Sequence, residues 1–155
     1  MSGGPGSEDA AVEQPALELL AVLGWEVLSG FAEPAELGRS NKADAILESR
    51  LRDAVLRLNL GLDAGAVDAA VAAFVEDRSS LDPVRANKAV WEMLRDGVVV
   101  QAESDKGNKE PRRVRFVAWD VADQNEFLAV SQLWVTGEMH TRRTDIVLFV
   151  NGIPL

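Results

Sequence analysis

Asp82–Gln101 reads DPVRANKAVWEMLRDGVVVQ, and within these residues the chain changes its period. Asp82 followed by Pro83 is a helix-start signal. An aspartate can accept from the free amides of the first turn, and a proline at the first helical position gives up an N–H that has no partner there. Val90, Trp91 and Leu94 recur at helical spacing and are expected to face inward, and Gly97 stops the helix. From Val98 the apolar residues continue as a strand. Upstream the sequence reads mainly as helices and downstream as strands, which predicts an α/β (α+β) fold: a mixed β-sheet flanked by helices.

Working back from Asp82, Asp63 is expected to cap an Ala-rich helix with Val67, Ala70, Val71 and Phe74 on one face. Before it, Asp44 to Asn59 reads as a helix with Leu47, Leu51, Ala54, Val55 and Leu58 inward and Glu48/Arg52 as an exposed i,i+4 pair. Gly30 to Lys42 reads as a loop and Trp25 to Leu28 as a short strand. Ser7 is placed to cap a first helix that ends at Gly24, with Val12, Leu19, Leu20 and Leu23 as its apolar stripe. Pro15 either kinks that helix or occupies N1 of a shorter one starting near Gln14. Residues 1–6, rich in Gly, Ser and Pro, are expected to be a flexible tail, leaving 7–155 as part of a single domain.

Downstream, Val98–Gln101 and Val114–Trp119 are candidate strands on either side of a polar, basic loop. Phe127–Thr136 and Ile146–Val150 follow, and Asn151-Gly152 signals a hairpin turn. Only Ile153, Pro154 and Leu155 remain to form the returning strand, a length that suggests an element cut short.

The 155 residues are enough for one domain that hides roughly 70% of its unfolded surface. The absence of cysteine excludes disulfides and thiolate metal sites and fits a cytoplasmic setting. No apolar run approaches the roughly 20 residues of a membrane helix, and no signal-peptide order opens the chain. A net charge of −9 argues against a dedicated nucleic-acid binder, so any DNA contact should pass through local basic patches. Two stand out: Lys106, Lys109, Arg112 and Arg113 with Arg115, and the pair Arg142-Arg143. A charge run of this kind is either a solvated hairpin tip or a phosphate contact.

Few groups can do chemistry. There is no phosphate-binding glycine pattern, no serine elbow and no His/Cys metal spacing, and the lone histidine, His140, lies in a polar segment and receives no role. Carboxylates remain. Asp145 follows Arg142-Arg143-Thr144 and opens the apolar strand Ile146–Val150. It reads either as a strand-end aspartate paired with an arginine, which pattern alone favours, or as a Mg²⁺ ligand.

The stretch RRTDIVLFVNGIPL from Arg142 to Leu155 resembles the signature of type I restriction enzyme R subunits, where Arg-Pro-Asp precedes an apolar strand and Asn-Gly-x-Pro-Leu. Val12-Glu13-Gln14-Pro15-Ala16-Leu17, Leu23-Gly24-Trp25, Leu51 to Leu60, Ala86-Asn87, Leu94 to Val98, and Asp120 to Gln132 with Asn125, Phe127 and Gln132 agree in order. The resemblance implies a PD-(D/E)xK endonuclease domain that cuts DNA with Mg²⁺, its core ending here before the last catalytic strand. Asp145 falls on the family's metal-binding Asp, although Thr144 replaces the usual proline. Glu13 falls on a first-helix position where related nucleases carry a further acid; its plain alternative is an exposed first-turn glutamate. The family's Glu-x-Lys pair belongs beyond Leu155, so the chain alone is expected not to cleave DNA. The resemblance also implies an ATP-driven motor elsewhere in the full-length protein, with modification and specificity subunits as partners.

Two rival readings come from other classes. Three helices followed by a hairpin with a basic tip match the outline of a winged-helix DNA-binding module, though Asp82–Asp96 carries no net positive charge. A subunit-interface module without catalysis fits the net acidity.

Overall fold

The computed structural model describes residues 6–137 and 139–155 and contains helices together with a mixed sheet. The chain divides into two compact units, one formed by the residues up to Leu47 with Glu126–Leu155, the other by Glu48–Asn125. The expected tail lies outside the described residues for 1–5, whereas Gly6 already opens the first helix.

In the first unit, helix α1 (Gly6–Val22) leads through Gly24 into strand β1 (Glu26–Ser29). Helix α1 packs against β1 and β4 (Phe127–Ser131), and Pro15 lies within it, so neither a helix opened at a Ser7 cap nor one opened at Pro15 describes its start. The expected stripe is also rotated. Val12, Leu19 and Leu23 are 74%, 60% and 66% exposed, while the packing face runs through Glu13, Leu17 and Leu20. Apolar residues occupy both sides of this helix, so periodicity alone cannot choose between them.

Strand β1 pairs in parallel with β4, β4 antiparallel with β7 (Ile146–Val150), and β7 antiparallel with the two-residue β8 (Ile153–Pro154), giving the order β1-β4-β7-β8. Two short strands, β5 (Trp134–Thr136) and β6 (Thr141–Arg143), pair antiparallel, so the expected strand Phe127–Thr136 is two strands broken at Gln132 and Leu133. Leu37, Leu47, Leu128, Val130, Leu133 and Phe149 form the buried cluster of this unit, and Trp25 packs against Phe127 in a tilted ring pair with centroids 5.2 Å apart. The Asn151-Gly152 turn forms as expected: both residues have positive φ, 53° and 78°, the backbone that a two-residue hairpin demands.

The segment read as a loop is held by Arg39. Its guanidinium, 1% exposed, pairs with Glu33 and donates to the carbonyls of Trp134 and of Asp44, the latter at 3.2 Å. A 3-10 turn, Ala35–Leu37, lies within it. Residues 44–47, expected to be helical, continue this loop instead, and the Leu47 N–H donates to the Gly152 carbonyl at 2.8 Å.

In the second unit, α2 (Glu48–Leu58) buries Leu51, Ala54, Val55 and Leu58 against α3 (Ala64–Val75). Arg52 pairs with Asp68 of α3 rather than with Glu48. Asp63 caps α3 by accepting from the Ala66 amide, and Asp82 caps α4 (Pro83–Asp96) by accepting from Val84 and Arg85. None of the residues of α4 is buried, and Trp91, expected inward, is 54% exposed with the Arg95 guanidinium 4.2 Å from its ring centre. Trp119 donates its indole N–H to the Leu94 carbonyl at 2.8 Å.

Strands β2 (Val98–Glu103) and β3 (Lys109–Val114) form an antiparallel hairpin, and α3 packs on β2. Here the expected second strand, Val114–Trp119, is displaced upstream. Register places Val114 opposite Val98, so β3 is the basic segment itself, and the Arg115 amide leaves the ladder to donate to Asn59 Oδ1 at 2.8 Å. Among the described residues no helix is long and apolar enough to cross a membrane.

Candidate active site

The geometry that gathers the first unit's chemistry begins with strand register. Ser131 pairs with Ile146 on one side of a break, and Trp134 pairs with Arg143 on the other. The same register continued across the gap sets Gln132 opposite Asp145. Indeed the Gln132 N–H donates to the Asp145 carbonyl at 2.9 Å, and the Thr144 N–H donates to the Leu133 carbonyl at 2.8 Å. The ladder is kinked rather than ended, because Gln132 has φ +55°, in the left-handed region that a non-glycine residue rarely adopts. Thr144, where the family motif has proline, uses both its N–H and its hydroxyl on the Leu133 carbonyl, the latter at 3.1 Å.

From this kink the Gln132 side chain reaches α1, donating Nε2–H to Glu13 Oε2 at 2.6 Å. Glu13 can receive it because it shares the packing face of α1 with Leu17. Two acids singled out in the sequence therefore meet the same residue: Glu13 through its carboxylate, Asp145 through its backbone. Glu13 is half-buried and Asp145 exposed, and no hydrogen bond or ion pair among the described residues engages the Asp145 carboxylate.

The oxygen donors of Glu13 and Asp145 suit a hard cation such as Mg²⁺ rather than a soft one. Among the described residues no group of three or more His, Asp or Glu side chains could enclose a metal, so these two would supply only part of a shell. Magnesium usually retains several waters, which makes a partial protein shell chemically reasonable.

The sequence matches the family described as Type I restriction enzyme R protein N terminus over residues 6–155. The chain belongs to this family. It is 34% identical over 148 residues to the type I restriction enzyme HindI endonuclease subunit of Haemophilus influenzae, covering 93% of this chain and 14% of that protein. It is 31% identical over 153 residues to a Methanocaldococcus jannaschii protein named as a type I restriction enzyme endonuclease subunit, covering 96% of this chain and 14% of that one. The chain therefore spans about a seventh of the length of the curated relatives it matches, as an N-terminal region of a type I R subunit.

The basic residues of this R-subunit region fall into both units. Arg142 and Arg143 are exposed on β6, with the Arg143 guanidinium 5.8 Å and the Lys42 ammonium 5.5 Å from the Trp134 ring centre. Lys106 sits at the β2–β3 tip, and Lys109, Arg112 and Arg113 are exposed on β3, with Arg113 donating to the Asp96 carbonyl at 2.7 Å. His140 is exposed. Sequence reading assigned no role to Gln132, Arg39 or Lys42. Gln132 was visible as a family motif residue, whereas nothing in the local pattern distinguished Arg39 from a loop arginine.

Proposed function

We propose that this chain supplies one side of a Mg²⁺-dependent centre that cleaves double-stranded DNA within a type I restriction enzyme R subunit. The supporting observation is the convergence of Glu13 and Asp145 on Gln132, at a kink in the sheet beside an arginine pair. In this reading Asp145 is a metal ligand, and its unengaged carboxylate suits that task. Glu13 is the second acid. When bound, Mg²⁺ neutralises charge at the scissile phosphate and lowers the cost of forming the attacking hydroxide. Arg142 and Arg143 hold the DNA backbone beside the carboxylates, and Lys106, Lys109, Arg112 and Arg113 provide a second phosphate contact. ATP binding and translocation belong to other parts of the full-length R subunit, which works with modification and specificity subunits.

The test is Asp145→Ala in the full-length R subunit assembled with those partners. Cleavage of plasmid DNA should be lost while ATP hydrolysis continues; cleavage at the wild-type rate would overturn the reading. DNA affinity carried by the arginine pair should also fall steeply as salt rises.

A second reading is favoured by a separate observation. Residues Glu48–Asn125 form a compact unit of three helices followed by a hairpin with a basic strand, an arrangement that could contact DNA or another subunit without catalysis. Charge-reversal of Arg112 and Arg113 that left DNA binding unchanged would remove the DNA form of this reading.

A further inference from the structure

We infer that Gln132 is a positioning residue that fixes Glu13 relative to Asp145; this rests on the nuclease reading above. Three features of the residue support it together. Its backbone adopts φ +55° between two strand pairs of the same register, and this shifts the strand's alternation so that Leu133 and Val135 join the core that Leu128 and Val130 face, while the Gln132 side chain is turned out of it. Packing of Leu133 and Val135 holds that left-handed backbone in place, so the direction of the Gln132 side chain is fixed. The kink allows the side chain to reach α1, where Nε2 meets Glu13 Oε2 at 2.6 Å across 119 residues of sequence. The main chain of the same residue holds the Asp145 carbonyl at 2.9 Å.

The chemistry of an amide suits this position. A lysine or arginine there would neutralise Glu13 and compete with a cation, whereas a second carboxylate would repel it or force the pair to share a proton. The neutral amide orients Glu13 through one oxygen and leaves its negative charge available. Gln132 thus acts on the metal only through the acids it arranges, as supporting residues commonly do at metal sites.

Two variants separate positioning from mere structural support. Gln132→Leu removes the donor at similar size, while Gln132→Gly removes the side chain but accommodates the left-handed backbone, so one of them should fold if the other does not. In the full-length R subunit with its partners, both should raise the Mg²⁺ concentration for half-maximal cleavage by about tenfold, with the rate at saturating Mg²⁺ changed far less. In this chain alone, Mn²⁺ should broaden the NMR signals of the Gln132 side-chain amide. Asp145→Ala should abolish that broadening, and both Gln132 variants should weaken Mn²⁺ binding measured by electron paramagnetic resonance.

Unchanged Mg²⁺ dependence in both Gln132 variants, with cleavage still abolished by Asp145→Ala, overturns the positioning role and leaves the nuclease reading standing. Wild-type cleavage in Asp145→Ala overturns both.

Discussion

Replacing Asn151 by alanine should unfold the first unit more easily by about 2–4 kcal/mol, and two separate contributions make up that figure. Asn151 is fully buried at the β7–β8 turn. Its Oδ1 accepts the Glu126 N–H at 2.8 Å, and its own N–H donates to the Glu126 carbonyl at 2.9 Å. Alanine keeps the second bond and loses the first, depriving a half-buried amide of its acceptor at a cost of about 1–3 kcal/mol. Alanine must also hold φ near the observed +53°, where asparagine is tolerated, at a further cost of about 1 kcal/mol. Glycine has no difficulty with that backbone, so Asn151→Gly should recover about 1 kcal/mol relative to alanine without restoring the wild type. Urea unfolding, combined with amide exchange at Glu126, measures both parts. The reasoning fails if Asn151→Ala stays within about 0.5 kcal/mol of wild type, or if the glycine variant is as unstable as the alanine one.

Gly97→Ala should cost about 3 kcal/mol or more and show first as lost amide protection in β2 and β3. Its φ is +73°, and a Cβ would lie 2.2 Å from the Val114 carbonyl oxygen, a backbone atom that cannot move aside cheaply. Asp63 gives a pH signature. The Glu103 amide, and then that of Ala66, hold its carboxyl below the ordinary 3.8. A depressed folded-state pKa stabilises above the unfolded value and ceases to do so as pH falls through the folded one. Asp63→Asn should therefore lessen the loss of stability below about pH 4, with Asp77 and Asp96, also held low, retaining their share. An acid limb identical to wild type in an acid-titrated melting series would remove Asp63 from that account.

Where a local signal had a single meaning, the fold was legible from sequence. Asp82-Pro83 and Asp63 cap the helices they were expected to cap, Asn151-Gly152 makes the expected turn, and Ile146–Val150 is a strand with the expected bounds. The misreadings share one cause, that burial is settled by tertiary partners. Helix α1 carries apolar residues on two faces and packs the less apolar one. In α4, Trp91 repeats at core spacing yet remains exposed under Arg95. Strand β3 is made of Lys109–Val114, residues of weak strand propensity, because Val114 aligns with Val98 and the pairing runs back from there.

The candidate site was legible in two of its three members, for different reasons. Asp145 stood out because it opens an apolar strand that ends in a turn, although pattern alone favoured a strand-end aspartate and only the family motif gave it a metal role. Glu13 could be found only by resemblance, since its orientation depends on which face of α1 packs. Gln132 depends on more than either. The run FLAVSQLWVT from Phe127 to Thr136 contains no glycine or proline to announce a kink, and a polar residue in such a run ordinarily just faces solvent. Its placement becomes apparent when the register on both sides is known and the break is seen to keep it. The kink keeps register but shifts the strand's alternation, which seats Leu133 in the core beside Leu128 and Val130. The same shift redirects one side chain toward an acid 119 residues away in sequence, beside the backbone of another, so one backbone angle serves both the core and the candidate site.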